Sequence, residues 1–252
     1  MAPPVFHLAP LPPAGATAVL DGAEGRHAAT VRRLRSGERV LLTDGRGGVA
    51  DCTVTTVGRD RLELAVQARQ DVAPAVPQVT VVQALPKGER SDLAVELATE
   101  AGVDAVVPWQ AARCVARWQG PKADKGVQRW QSTATQAAKQ SRRAHVPEVA
   151  PLHSTTEVAE LVARTVAEGG HALVLHESAQ APMADLVLDG PRVLLVVGPE
   201  GGIADDELAV LTAQGAVAVH LGPTVLRTST AAAVALGALG VLTPRWLARP
   251  FA

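Results

Sequence analysis

The 252-residue chain reads as an α/β protein, a mostly parallel sheet covered by helices and preceded by a small β-barrel. Three observations predict this. Short alternating runs crowd the first seventy residues, while continuous apolar runs alternate with helical segments from Gln78 onward. Between the two regimes stands "APAVP", residues 73–77, where prolines withdraw backbone donors and stiffen the chain. The expected domains are therefore 1–72, the barrel, and 78–252, the α/β domain.

In the first region, "ERVLLTDG" alternates apolar and polar positions and stops at Asp44-Gly45, a turn dipeptide. "GGVADCTVTTVG" and "RLELAVQARQ" follow, and several short strands at close spacing suggest a small barrel. In the second region, "VTVVQAL" is a buried strand. "SDLAVELATEAGV" is a helix with Ser91 as N-cap and Gly102 near its end. "AVVPWQ" is a strand, and residues 125–144 form a long polar helix. "STTEVAELVARTVAEGG" opens with a capping box, Ser154 to Glu157. "HALVLHES", "RVLLVVGP" and "AVAVHLGP" are three further strands, with helices at Asp205–Ala213 and Thr228–Leu242. Strands alternating with helices argue for a mostly parallel sheet.

Composition narrows the function. At 47% hydrophobic residues the chain can build a real core. Its apolar runs fall short of the roughly 20 residues that span a bilayer. "MAPPVFHLAP" lacks a basic segment followed by a long apolar core, so a cytoplasmic protein is expected. Cys52 and Cys114 are far apart and suit neither a disulfide framework nor a zinc site, and no metal is expected. Net charge is −1, yet residues 113–143 carry eight arginines and lysines against one acid, Asp124. Such a run can neutralise phosphates, although a solvated helix face has the same composition.

Ligands of open α/β sheets bind beyond the carboxyl ends of strands. The last three long strands end in Leu175-His176-Glu177, in "GPEGG" (Gly198, Pro199, Glu200, Gly201, Gly202), and in Leu221-Gly222-Pro223. "GPEGG" is no phosphate loop. It has neither the Lys-Ser/Thr pair of a Walker-type loop nor the G-x-G-x-x-G of a dinucleotide site, and Glu200 would repel a polyphosphate. A ligand without phosphate and with positive charge suits it, and S-adenosylmethionine is one. In "LGPTVLRTSTAAAVALGAL", Arg227 precedes a helix capped by Thr228 or Ser229, a place suited to negative charge developing on a substrate.

Together these residues resemble the ribosomal RNA methyltransferase E (RsmE) family of the SPOUT superfamily. The matching elements are "GPEGG", "LGPTVLRTSTA", "LPKGERSDLAVELATEAGVD" and "HAATVRRLRSGERVLLTDGRGG". The resemblance implies a PUA-like RNA-binding β-barrel and a SPOUT methyltransferase domain with a C-terminal trefoil knot. It implies a homodimer, S-adenosyl-L-methionine as methyl donor, and N3 of a uridine in 16S small-subunit ribosomal RNA as the methylated atom.

Carried over by position, the cofactor residues are Leu175, His176 and Glu177, then Gly198, Pro199, Glu200, Gly201 and Gly202, then Leu221, Gly222, Leu226 and Arg227. Arg227 and Glu200 are the catalytic candidates. Arg227 would donate to a uracil oxygen, and Glu200 would attract the sulfonium, anchor the base or brace its own loop. The RNA-binding candidates are Arg33, Lys87, Lys139, Gln140, Arg142 and Arg143. Two departures stand out: Ser229 replaces a glutamate frequent in the family, and Ala144 replaces an asparagine. No general base is identifiable. The competing readings are a ribose 2′-O-methyltransferase of rRNA or tRNA and a catalytically silent RNA-binding assembly factor.

Overall fold

The computed structural model describes residues 3–247, which form two compact units. The first consists of residues 3–74 and 138–146, the second of 75–137 and 147–247. Residues 248–252 of the expected second domain lie outside the described residues.

The first unit contains five strands: β1 (Val5–His7), β2 (Thr17–Leu20), β3 (Arg39–Thr43), β4 (Gly48–Val57) and β5 (Leu62–Asp71). They form one sheet in the order β1-β3-β4-β5-β2, antiparallel except for β1 beside β3. Phe6, Leu20, Leu42, Val54 and Leu64, one from each strand, meet in a single core, so the sheet curls around it. Period-2 alternation does this locally: Leu62, Leu64 and Val66 point inward while their neighbours face out. The Asp44-Gly45 turn forms as expected. Gly45 has φ +73°, and Asp44 Oδ1 accepts from the backbone N–H of Arg46 (2.8 Å) and Gly48 (3.0 Å). A short helix, α1 (Gly22–Arg26), continues into a π-turn (His27–Val31).

Residues 138–146 join this unit although the sequence placed them in the second domain. Their hydrogen bonds explain it. Val146 N–H donates to Gly45 O, Gly47 N–H to Ala144 O, and the Thr43 hydroxyl to Ala144 O. Gly47 (φ +106°) is obligatory there, because a Cβ would lie 2.7 Å from the His145 ring.

The second unit is built on a seven-stranded sheet whose pairs are all parallel. Its strands are β6 (Gln78–Ala84), β7 (Ala105–Trp109), β8 (Glu148–Val149), β9 (His171–Leu175), β10 (Ala181–Pro182), β11 (Arg192–Val197) and β12 (Val217–His220), in the order β10-β12-β9-β11-β6-β7-β8. Residues 193–197 of β11 are buried one after another, so both faces of the sheet are covered there. Each such Val or Leu side chain contributes about 1.5–3 kcal/mol. The helices are α2 (Arg90–Glu100), α3 (Pro121–Gln140), α4 (Thr155–Ala167), α5 (Asp205–Ala213) and α6 (Thr228–Leu242). α2 packs on α6 and α4 on α5, and both α4 and α6 lie against β11.

Three local expectations are corrected. Helix α3 starts at Pro121 and stops at Gln140, not at 125 and 144, because the chain then turns to meet 45–47. Ser91 is not an N-cap. Its hydroxyl accepts from Trp130 Nε1 (2.8 Å), and α2 begins one residue earlier without a side-chain cap. Neither Thr228 nor Ser229 caps α6; Arg227 occupies that position without a side-chain cap. The Ser154–Glu157 capping box is present, and its hydrogen bonds hold the Glu157 carboxyl below its usual range.

Candidate active site

Because β12, β9 and β11 are adjacent and parallel, their carboxyl ends share one edge of the sheet. The loops 175–177, 198–202 and 221–227 therefore converge, and a cavity of about 650 Å³ lies among them. Its floor is apolar and buried: Val197, Pro199, Ile203, Val219 and Ala231. Exposed residues form its mouth, among them Glu200, Asp205, Thr224 and Arg227. The size and the mixture of apolar floor and few polar groups suit a small-molecule site.

The 198–202 loop is held tightly. A Cβ on Gly198 would lie 2.7 Å from Ile203 Cγ1, so this glycine lets the loop fold back on itself. A Cβ on Gly201 would press on Arg113, whose Nη1 donates to Gly201 O (3.3 Å) and Ile203 O (3.4 Å). Gly202 has φ +73°. Glu200 Oε1 accepts from the backbone N–H of Lys87 at 3.0 Å, which joins this loop to the turn before α2. The Thr228 hydroxyl donates to Gly198 O at 2.6 Å and accepts from the buried Gln83 amide at 3.1 Å. Below the loop, buried Glu207 accepts from Ala112 N–H (2.9 Å), the Thr155 hydroxyl (2.7 Å) and Ala204 N–H (3.2 Å).

The 221–227 loop is different. Residues 223–225 and Arg227 are exposed, and Gly222 sits at φ +149° with open space where a Cβ would be. The Arg227 guanidinium has no hydrogen-bond or ion-pair partner among the described residues. In the 175–177 loop, the Ser178 backbone N–H points at His176 Nδ1 (3.3 Å). A backbone N–H can only donate, so Nδ1 is the acceptor and the ring proton sits on Nε2.

Every residue predicted for the cofactor lines this cavity. Two arginines that the sequence did not single out as site residues line it as well. By sequence Arg113 is one cation of the basic run; Arg90 is the first residue of α2. The signal for Arg90 is present in "KGER", a basic residue at a helix start two positions after Gly88 (φ +61°). Glu207 was missed because its partners come from three separate segments.

A family model described as an RNA methyltransferase domain matches residues 74–240, and one described as an RNA methyltransferase PUA domain matches residues 20–67. The chain is 58% identical over 243 residues to the ribosomal RNA small subunit methyltransferase E of Mycobacterium bovis, covering 96% of this chain and 93% of that protein. The chain belongs to the ribosomal RNA small subunit methyltransferase E family. The Bacillus subtilis member is 31% identical, with 89% and 90% covered. Among solved structures, the Neisseria gonorrhoeae methyltransferase E bound to S-adenosyl methionine superposes with a TM-score of 0.84 at 29% identity, over 96% of this chain and 98% of that one. The Legionella pneumophila methyltransferase Lpg2936, in complex with the same cofactor, gives 0.82 at 26%, over 96% and 98%.

Within this family member, the predicted RNA residues fall in two places. Lys87 is exposed in the turn that Glu200 holds; Arg33, Lys139, Gln140, Arg142 and Arg143 belong to the first unit. Arg33 and Arg142 are both exposed and both in the left-handed region, at φ 54° and 56°. Lys139 has an acidic partner. Its ammonium contacts both oxygens of Glu24 (2.7 Å each) and lies 5.2 Å from the Phe6 ring centroid. Ala144 is buried and serves the unit through its carbonyl. Both cysteines are buried, and burial raises their thiol pKa values, Cys52 to about 12. No described helix is long and apolar enough to cross a membrane.

Proposed function

We propose that the chain transfers a methyl group from S-adenosylmethionine to N3 of a uridine in 16S small-subunit ribosomal RNA, acting in the cytoplasm. The observation that carries this reading is the cavity: three glycine- or histidine-bearing strand ends around an apolar floor, with an unpaired arginine at the mouth. The residues fit the cofactor. Glu177, Glu200 and Asp205 line the cavity and favour a cationic sulfonium over a polyphosphate. The backbone N–H groups of Gly201, Gly222 and Leu226 make no hydrogen bond to the described residues and remain for a ligand. When bound, the cofactor supplies an electrophilic methyl group.

The chain's own residues must then prepare a poor nucleophile. The N3–H of uridine is a weak acid, and as its proton leaves, negative charge spreads onto the flanking carbonyl oxygens. Arg227 donates to one of these oxygens and orients the base. Glu200 acts by bracing its loop, which the Lys87 bond supports. His176 offers Nε2–H to the cofactor. The trefoil knot and the homodimer belong to the same reading. Exposed Val241, Leu242, Trp246 and Leu247, at the end of α6 and in the 3-10 turn after it, suit a second copy.

The decisive test is mass spectrometry of nucleosides from small-subunit rRNA of cells lacking the protein, with and without recombinant protein added back. A 3-methyluridine that disappears and returns is expected. A methyl group found on a ribose instead would replace N3 with 2′-O transfer.

A further inference from the structure

Of the three arginines lining the cavity, only Arg113 is engaged, by the carbonyls of Gly201 and Ile203. Arg90 and Arg227 have no partner among the described residues. They come from the starts of α2 and α6, two helices that pack together and open at the same cavity. Arg90 is half-buried, and the residues before it, 87–89, are exposed. It therefore stands where the cavity meets solvent, above the apolar floor. Its placement is fixed from the other side. Glu200 holds the Lys87 backbone, and Gly88 turns the chain into the helix.

We propose that Arg90 is a substrate-binding residue, that it takes a phosphodiester oxygen of the RNA strand beside the target nucleotide, and that Glu200 is its positioning residue. This rests on the RNA methyltransferase reading and adds to it. A guanidinium left unpaired at a half-buried place costs desolvation unless a ligand completes it. A single cofactor molecule reaches the floor; a polymer must pass the mouth, where Arg90 stands. Arginines and carboxylates balance in number around the cavity, so no general positive field does this work. The contact is local and sensitive to one residue. Arg227 remains for the base while Arg90 holds the strand.

The test uses the full-length protein, unmodified small-subunit rRNA and S-adenosylmethionine, with equilibrium binding measured separately for each ligand. Arg90→Ala should weaken RNA binding roughly ten-fold, the size of one charge-assisted hydrogen bond. It should also reduce the slope of log affinity against log salt by about one. Affinity for S-adenosylmethionine should stay within about two-fold, since no cofactor contact is lost. Arg90→Lys, which keeps the charge without the fork, should restore the slope. Glu200→Ala should weaken RNA binding in the wild-type background but add nothing to Arg90→Ala, because its effect passes through that residue. RNA affinity and salt slope unchanged in Arg90→Ala would overturn the assignment. A cofactor affinity falling in parallel with RNA affinity would overturn it too, by giving the guanidinium to the cofactor carboxylate. Wild-type protein that binds RNA but transfers no methyl group would fail the proposed function instead, leaving the Arg90 result readable.

Discussion

The two glycine-bearing loops that close the cavity solve opposite problems. Loop 198–202 is anchored at Gly198, Glu200 and Gly201 by Thr228, Lys87 and Arg113, with Glu207 beneath it satisfied by three donors. Loop 221–227 has exposed residues, a glycine at φ +149° facing open space, and an arginine without a described partner. One is a wall; the other presents chemistry. Loss of the carboxylate beneath the first should show up in folding, and loss of the unpaired arginine of the second in turnover.

Arg227→Ala is the largest expected effect on activity. Removing a donor aimed at developing charge costs about 10²–10³ in rate. Unfolding and cofactor affinity should barely change. Wild-type turnover in this variant would take Arg227 out of the reaction and erase the distinction between the loops. Glu207→Ala is the counterpart beneath the wall. It removes the acceptor of the part-buried Ala112 amide, of the buried Ala204 amide and of the Thr155 hydroxyl, which keeps only its contact with Trp109 Nε1, at a cost of about 3 kcal/mol. In a chain of this size that lowers the thermal midpoint by roughly 6–12 °C. Calorimetry that finds an unchanged midpoint would mean the wall does not depend on this carboxylate.

The glycines separate the loops at smaller scale. Gly198→Ala drives a Cβ to 2.7 Å from Ile203, an overpacking cost of about 1–3 kcal/mol that shortening Ile203 should partly relieve. Gly222→Ala meets nothing within 4 Å, and its cost is backbone strain, about 1–3 kcal/mol, which no neighbouring truncation relieves. Urea unfolding of the single variants and of the Gly198→Ala/Ile203→Ala pair checks this. Equal coupling at both glycines would show that the loops are not held differently.

The readable parts of the sequence were those where local pattern and final structure agree. The apolar run of β11 could only be a strand covered on both faces, and α5 and α6 begin and end where pattern and glycines placed them. The strand-end rule points to Gly198 and Gly222, which line one cavity. Long-range pairing decided the rest. Ser91 has the chemistry of an N-cap, but Trp130 uses its hydroxyl. Residues 141–144 read as the end of a helix, yet bonds to 43–47 end α3 at Gln140. Arg113 reads as one more cation in a basic run until Gly201 folds under it. β8 and β10, two residues each, are too short for any period to show. A side chain whose partner lies far along the chain leaves no local signature.

The same division between held and free groups applies to the cations of the first unit, and it yields the smallest effect. Lys139 and Arg142 are three residues apart in one basic run, and composition treats them alike. The structure does not. Lys139 pairs with Glu24, whose other contact is the His7 backbone N–H (3.3 Å), whereas Arg142 is exposed. Arg142→Ala should therefore reduce the salt slope of RNA binding by about one and weaken affinity a few-fold, with stability unchanged. Lys139→Ala should leave the slope alone and cost about 1 kcal/mol of stability, because the partly buried Glu24 loses its ion pair. Titrating RNA affinity against salt for both variants, beside their unfolding curves, separates them. If Lys139→Ala moves the slope as much as Arg142→Ala does, then the lysine exchanges Glu24 for a phosphate on binding, and its ion pair is a resting contact rather than a brace.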